Sequence, residues 1–262
     1  MSSMCSRFAA PVATIFLVTA GVGTSFAHDV WLTTNGGAHS RRVIVNYGHP
    51  GDRPPAFADK VVDLFAITAE RQVPLLDRLD VARVGGIVVA ASQPFADNGR
   101  VLLAARYDNG FWVKVSDRVY RNATRRLVSQ PQDSLWSGKF AKAVTGAGAP
   151  WDRVLGHEIE IVPLSDPASL RAGATLRVRV LFRGRPLADV MVERGDGLTK
   201  MAEEAIPKFK TDVEGIADIP IEKPGPTLLV VDHRVTPSAT PEQASVDLYN
   251  ATFWFRFGRG ER

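Results

Sequence analysis

"ATLRVRVLF", residues 174–182, decides the fold. Leu176, Val178, Val180 and Phe182 alternate with Thr175, Arg177 and Arg179. Successive side chains of a pleated strand leave opposite faces, so this period of two predicts a strand with one buried and one wet side. The surroundings continue the pattern. "RGRP" (183–186) is a turn, "LADVMVE" (187–193) a strand, and "TDVEG" (211–215) a turn into "IADIPI" (216–221). Beyond "KPGP" (223–226), "TLLVVDH" (227–233) is an apolar run, and "YNATFWFRF" (249–257) aligns Tyr249, Ala251, Phe253, Phe255 and Phe257 on one side. Short strands with turn signals at this spacing predict a β-sandwich.

Toward the N-terminus, "RRVIVNY" (41–47), "VVDLFAI" (61–67), "GGIVVAA" (85–91), "VLLAARY" (101–107) and "FWVKV" (111–115) are β-branched or aromatic runs broken by Gly, Pro, Asp and Asn. The expected fold class is therefore all-β, with two β-sandwich-like units. They span residues 28–145 and 151–262, joined by "TGAGAP" (145–150), whose glycines and proline oppose regular structure. The charged stretch from Tyr120 to Val144, with "SGKFAKAV" at its end, is expected to be a helical or irregular connection.

The first residues look like an export signal, 1–27. Arg7 precedes the apolar centre "FAAPVATIFLVTAGVG", and Ser25-Phe26-Ala27 puts small residues at −3 and −1 of a peptidase site. The centre is too short for a membrane span, which needs about 20 apolar residues, so no integral membrane segment is expected in the mature chain. Cleavage after Ala27 leaves a periplasmic chain of 235 residues that begins at His28 and carries a formal charge of +3. Its Lys and Arg are scattered, and "RNATRR" (121–126) reads as a solvated face, so no nucleic-acid partner is expected. Cys5, the only cysteine, leaves with the signal. Any metal site must then use nitrogen and oxygen donors. G-x-S-x-G, G-x-x-x-x-G-K-[ST] and H-E-x-x-H are absent, and the chain is not expected to be an enzyme.

A terminal histidine offers two donors, its α-amine and its imidazole Nδ1, which close a six-membered chelate. A second imidazole across the site completes the T-shaped set called a histidine brace. The amine has a pKa of roughly 7.7–8.0, so a divalent ion displaces its proton near neutrality. Val30 holds the third mature position, where a purely local square-planar clip needs histidine, so ligands must come from elsewhere. The predicted metal ligands are His28, His49 in "GHPGD", and His233 at the end of "TLLVVDH", with Asp232 beside His233 to orient it. His39 in "NGGAHS" is expected to be exposed, and His157 in "GHEIEIV" to flank a strand. Nitrogen donors suit nickel, cobalt, copper and zinc.

Together "AHDVWL", "YGHPGD", "EIEIVPLSDP", "LRVRVLFRGRPLADVMV", "TDVEGIADI" and "YNATFWFRF" resemble a bacterial domain-of-unknown-function family often described as the periplasmic component of cobalt or nickel uptake systems. The second half is also similar to carboxypeptidase-regulatory-like, transthyretin-type sandwiches, which implies that the second unit is immunoglobulin/transthyretin-like. The resemblance implies a periplasmic nickel- or cobalt-binding protein that assists metal uptake, with copper or zinc as other cargo. Its partner would be a membrane permease or an outer-membrane receptor. Two other readings stand beside it: a non-metal envelope adhesion or scaffold module, and a periplasmic copper-handling protein.

Overall fold

The computed structural model describes residues 28–258 except 38, 85, 86, 98, 117 and 118, so the expected signal, 1–27, lies outside the described residues. The described chain is all-β, its other regular elements being short 3-10 turns. The first half holds β1 (Asp29–Asn35), β2 (Arg42–Gly48), β3 (Val61–Ile67), β4 (Gln72–Pro74), β5 (Leu79–Val84), β6 (Ile87–Ser92), β7 (Val101–Ser116), β8 (Val119–Asn122) and β9 (Asp133–Thr145). The second half holds β10 (Ile159–Pro163), β11 (Ala174–Phe182), β12 (Arg185–Pro186), β13 (Met191–Gly195), β14 (Lys208–Lys210), β15 (Ile216–Ile221), β16 (Gly225–Val235) and β17 (Val246–Phe257). None of the described helical turns is long and apolar enough to cross a membrane.

These strands build three sheets. A long central sheet runs β14-β13-β16-β17-β9-β7-β3-β4, with β8 also on β7. The sheet β1-β2-β6-β5 packs on one face of it, and β10, β11, β12 and β15 pack on the other. Residues 174–182 behave as their alternation requires: Leu176, Val178 and Val180 are buried, while Thr175 and Arg177 are exposed. In β17 the two faces feed different cores. Tyr249, Ala251, Phe253, Phe255 and Phe257 enter one apolar cluster, and Trp254 enters the other. Full burial of one such aromatic is worth about 1.5–3 kcal/mol, so this strand is a main stabilising element of the fold.

The stretch expected to be a helical or irregular connection, 120–144, contains instead the central strand β9. It pairs antiparallel with β7 and parallel with β17. A strand covered on both faces loses the simple alternation of apolar and polar residues. Here two of its covered positions are lysines, Lys139 and Lys142, which made the sequence look like a wet amphipathic segment. The β9–β17 pairing also carries the sheet across the expected boundary at 145–150. One core cluster draws Phe65 and Leu102 from the first half and Val178 and Phe253 from the second.

Candidate metal centre

The register of the first hairpin makes the site. Asp29 pairs with Gly48 and Val30 with Tyr47. One step further out, the same register sets His28 opposite His49, and cross-strand partners of an antiparallel pair stand side by side. Their imidazole centres are 5.0 Å apart with planes at 79°. Tyr47, the diagonal neighbour on the same face, meets His28 edge-on at 4.9 Å and stacks on Tyr107 at 5.5 Å. The Tyr47 hydroxyl donates to Asn109 Oδ1 at 3.2 Å.

The turn that carries His49 is fixed by its backbone. His49 N–H donates to Asp52 O at 3.0 Å, and Asp52 N–H returns to His49 O at 2.9 Å. Pro50 and Gly51 occupy the centre of this turn, with Gly51 at φ 81°, the positive angle that the third residue of a type II turn needs. A Cβ on Gly51 would also stand 2.7 Å from Lys200 Cβ and 3.0 Å from its backbone nitrogen, too close for either to stay in place.

Behind the pair lies a polar row, buried at Asn250, Lys139 and Tyr107 and half-buried at Asp232. Asp232, Asn250, Lys139 and Tyr107 are neighbours across β16, β17, β9 and β7. Asn250 Nδ2 donates to Asp29 Oδ1 at 2.9 Å and to Asp232 Oδ1 at 2.8 Å, so one amide bridges two carboxylates. Thr252 Oγ1 donates to Val30 O at 2.7 Å and ties β1 down beside them. Burial, reinforced by the charge of Asp232, pushes the Asp29 carboxyl up to about 7. Lys139 is fully buried, and its Nζ has no hydrogen-bond partner among the described residues. Burial lowers its pKa, against the pull of Asp232 and Asp29.

Both site histidines are held below the ordinary imidazole value. For His28 the causes are burial, then the charges of His49 and Lys139, opposed by Asp52. For His49 burial again leads, with Lys139 and Lys200 assisting and Asp52 and Glu203 opposing. Their lone pairs are thus unprotonated and open to a metal near neutral pH.

His233 does not join them. Leu229 and Val231 of β16 face one core, and Leu228 and Val230 face the other. By that alternation Asp232 falls on the side of Asp29, and His233 on the opposite side. There His233 packs against Phe182 at 4.6 Å, its pKa lowered by burial and by Arg183. Asp232 therefore cannot orient His233, because neighbours along a strand point to opposite faces. His39 is exposed, as expected. His157 is buried, with its ring 5.6 Å from Phe140.

No group of three or more His, Cys, Asp or Glu side chains is arranged to hold a metal among the described residues. A terminal-histidine site needs only two such side chains, since the amine is the third donor. With metal–nitrogen bonds of about 2.0–2.1 Å and about 1.1 Å from ring nitrogen to ring centre, centres 5.0 Å apart subtend about 100° at a shared ion. Opposite positions, as in the expected T-shaped set, would need roughly 6 Å by the same geometry. The spacing of the pair matches that of two adjacent positions on one ion. Beside it opens a cavity of about 330 Å³, lined by His49, Asp29, Asp52 and Asp232 among others.

The family model described as Domain of unknown function (DUF4198) matches residues 25–235. The chain belongs to this family. The DUF4198 match covers both His28 and His49, and the central strand β9 as well. Curated proteins give no match. Among solved structures the chain is similar to the D0-D1 domain of intimin, with 14% identity, TM-score 0.21, and 87% of this chain and 97% of that one covered. It is also similar to a chimeric titin Z1Z2-Z1Z2 tandem, with 8% identity, TM-score 0.20, and 88% and 97% covered. Scores this low carry no argument about architecture or role.

Sequence reasoning missed Asp29, Lys139 and Asn250, and gave Asp232 the wrong partner. Each was visible as a polar residue inside or at the start of an apolar strand, a position that burial forbids unless the group is paired.

Proposed function

We propose that the chain, exported to the periplasm and cut after Ala27, binds one divalent transition-metal ion and assists its uptake. The donors are the α-amine and imidazole of His28 and the imidazole of His49. The role is binding and delivery to a permease or an outer-membrane receptor. Copper binds nitrogen donors most tightly in the Irving–Williams order. The assignment of nickel or cobalt therefore rests on the family resemblance, with copper and zinc as competing ions. The single observation behind the reading is the cross-strand His28–His49 pair, half-buried and 5.0 Å between centres. Nothing in the packing of a sandwich asks for two imidazoles there.

Calorimetric titration of protein beginning at His28 with nickel, cobalt and copper tests it. One tight site is expected. His49→Ala, or one extra residue ahead of His28, should weaken it by more than the roughly 10–100-fold that a supporting residue is worth. Equal affinity in all three proteins would sink the metal reading and favour the scaffold module.

A further inference from the structure

The cavity beside His49 is larger than an ion needs. An ion held by His28 and His49 has room for a few waters, each about 30 Å³. The space is about 330 Å³, at the lower end of the roughly 300–1,000 Å³ that pockets for organic molecules occupy. Leu228, Val230, Ile206 and Met201 give it an apolar side. Asp29, Asp52, Glu193, Glu203 and Asp232 surround that side with carboxylates, against Lys200 as the basic lining residue.

Three of these acids are answered from within the protein. Glu193 takes an ion pair from Lys208 at 2.8 Å, and Asp29 and Asp232 share Asn250 and face Lys139. The side chains of Asp52 and Glu203 have no hydrogen bond or ion pair among the described residues, and both act on the charge of His49. A cavity with an apolar side, two solvent-facing carboxylates that make no hydrogen bond or ion pair among the described residues, and a metal-competent imidazole at its edge suits a ligand that is organic, cationic and metal-bearing.

We propose that this cavity holds a small, neutral, nitrogen-donor chelator, so that the ion is taken as its complex and not as a hydrated ion. The inference rests on the metal reading above. A neutral diamine leaves the ion its two positive charges, which face Asp52 and Glu203. The chelator's methylene groups lie against Leu228 and Val230. Binding exchanges three of the four waters of the six-coordinate complex for the α-amine and the two imidazoles, with the imidazoles in the adjacent positions that the ring spacing matches. An anionic chelator such as citrate cancels the charge and brings carboxylates against carboxylates.

The test uses protein beginning at His28, titrated with nickel alone, with a one-to-one nickel–1,2-diaminoethane complex, and with nickel citrate. Native mass spectrometry reads which species is bound. The diamine complex is expected to bind at least tenfold tighter than nickel alone, with protein, nickel and diamine in one mass, and citrate should weaken binding. Met201→Trp fills the cavity from an exposed loop position. It should leave the affinity for nickel alone unchanged and abolish the diamine advantage. Nickel bound without diamine in the mass, or an advantage that survives Met201→Trp, overturns this inference and leaves the proposed function standing. Failure of every nickel species to bind overturns both.

Discussion

Two buried lysines stand three residues apart on β9 and point to opposite faces of the central sheet. Lys142 meets a complete set of partners. Its Nζ donates to Glu160 Oε2 at 3.1 Å and to Arg153 O at 3.0 Å, and Glu160 in turn accepts from the backbone N–H groups of Leu155 and Gly156. Lys139 meets charges without contacts: Asp29 and Asp232 act on it, yet its Nζ makes no hydrogen bond among the described residues. A buried charge is costly unless it is both paired and hydrogen-bonded. The first lysine is thus a lock that fastens the segment after residue 150 onto the sheet. The second carries a cost that packing does not explain, and it lies on the face that holds the histidine pair.

The largest effect should come from breaking the lock. Lys142→Ala leaves Glu160 buried without its cation, which typically costs about 3–5 kcal/mol. Urea unfolding of the metal-free protein should show it as a lower midpoint at an unchanged slope. Lys142→Met with Glu160→Leu should recover only part of the loss, because Leu155 and Gly156 would still lack an acceptor.

Acid attacks the same face. His157 lies beside Glu160, Lys142 and Arg106, and burial first, with the two cations assisting, lowers its pKa to about 4 from 6.5. The unfolded chain takes up the proton first, so stability from this residue is present above pH 6.5 and is lost as pH falls toward 4. At 1.36 kcal/mol per unit the loss reaches about 3 kcal/mol. His157→Phe should flatten that limb of a stability–pH curve, and an unchanged slope would remove His157 from the account. The other face answers in the opposite sense. Asp29 is raised to about 7 from 3.8, so its contribution is full below pH 3.8 and is lost as pH rises through 7. Asp29→Asn should flatten the fall in stability that this residue causes between pH 3.8 and 7.

The fold was legible wherever one strand face is wet. Residues 174–182 declare themselves by alternation, and 249–257 by five apolar residues at a period of two. The segment 133–145 was not legible, because Lys139 and Lys142 are polar in sequence and buried in structure, and only the partners on the two flanking sheets explain them. Half of the candidate site was equally open. His28 and His49 lie in short motifs at either end of one hairpin, and their meeting needs only its register. His233 lies away from them, which was not legible because sequence places a residue near a strand end without saying which face it shares. The next residue back, Asp232, is the one on the site side.

A moderate effect is expected from Asn250→Leu. The change removes the one amide that donates to both Asp29 and Asp232, and a buried acceptor left without its donor costs about 1–3 kcal/mol. It also loosens the start of β1, where His28 is held. Nickel affinity should fall by roughly tenfold, the size of change seen when a group that orients a ligand is lost. A stability loss with unchanged nickel affinity would make Asn250 a purely structural bridge.

The smallest effect on stability, and the sharpest test of the comparison, belongs to Lys139→Met. Methionine keeps the length of the side chain and removes an ammonium that makes no hydrogen bond, so the desolvation cost disappears with the charge. Asp29 and Asp232 lose a nearby cation but keep Asn250, and Asp29 sits where it can take up a proton. The opposing changes should leave the unfolding free energy within about 1 kcal/mol of the unmodified protein, as replacement of poorly compensated buried charges often does. The metal site should respond more strongly. The charge of Lys139 lowers the pKa of both His28 and His49, which is to say that it opposes positive charge there, whether proton or metal. Its removal should tighten nickel binding by about tenfold, equivalent to about 1.4 kcal/mol. If Lys139→Met unfolds the protein as readily as Lys142→Ala and leaves nickel affinity where it was, the two lysines are the same kind of lock and the contrast between the faces is gone.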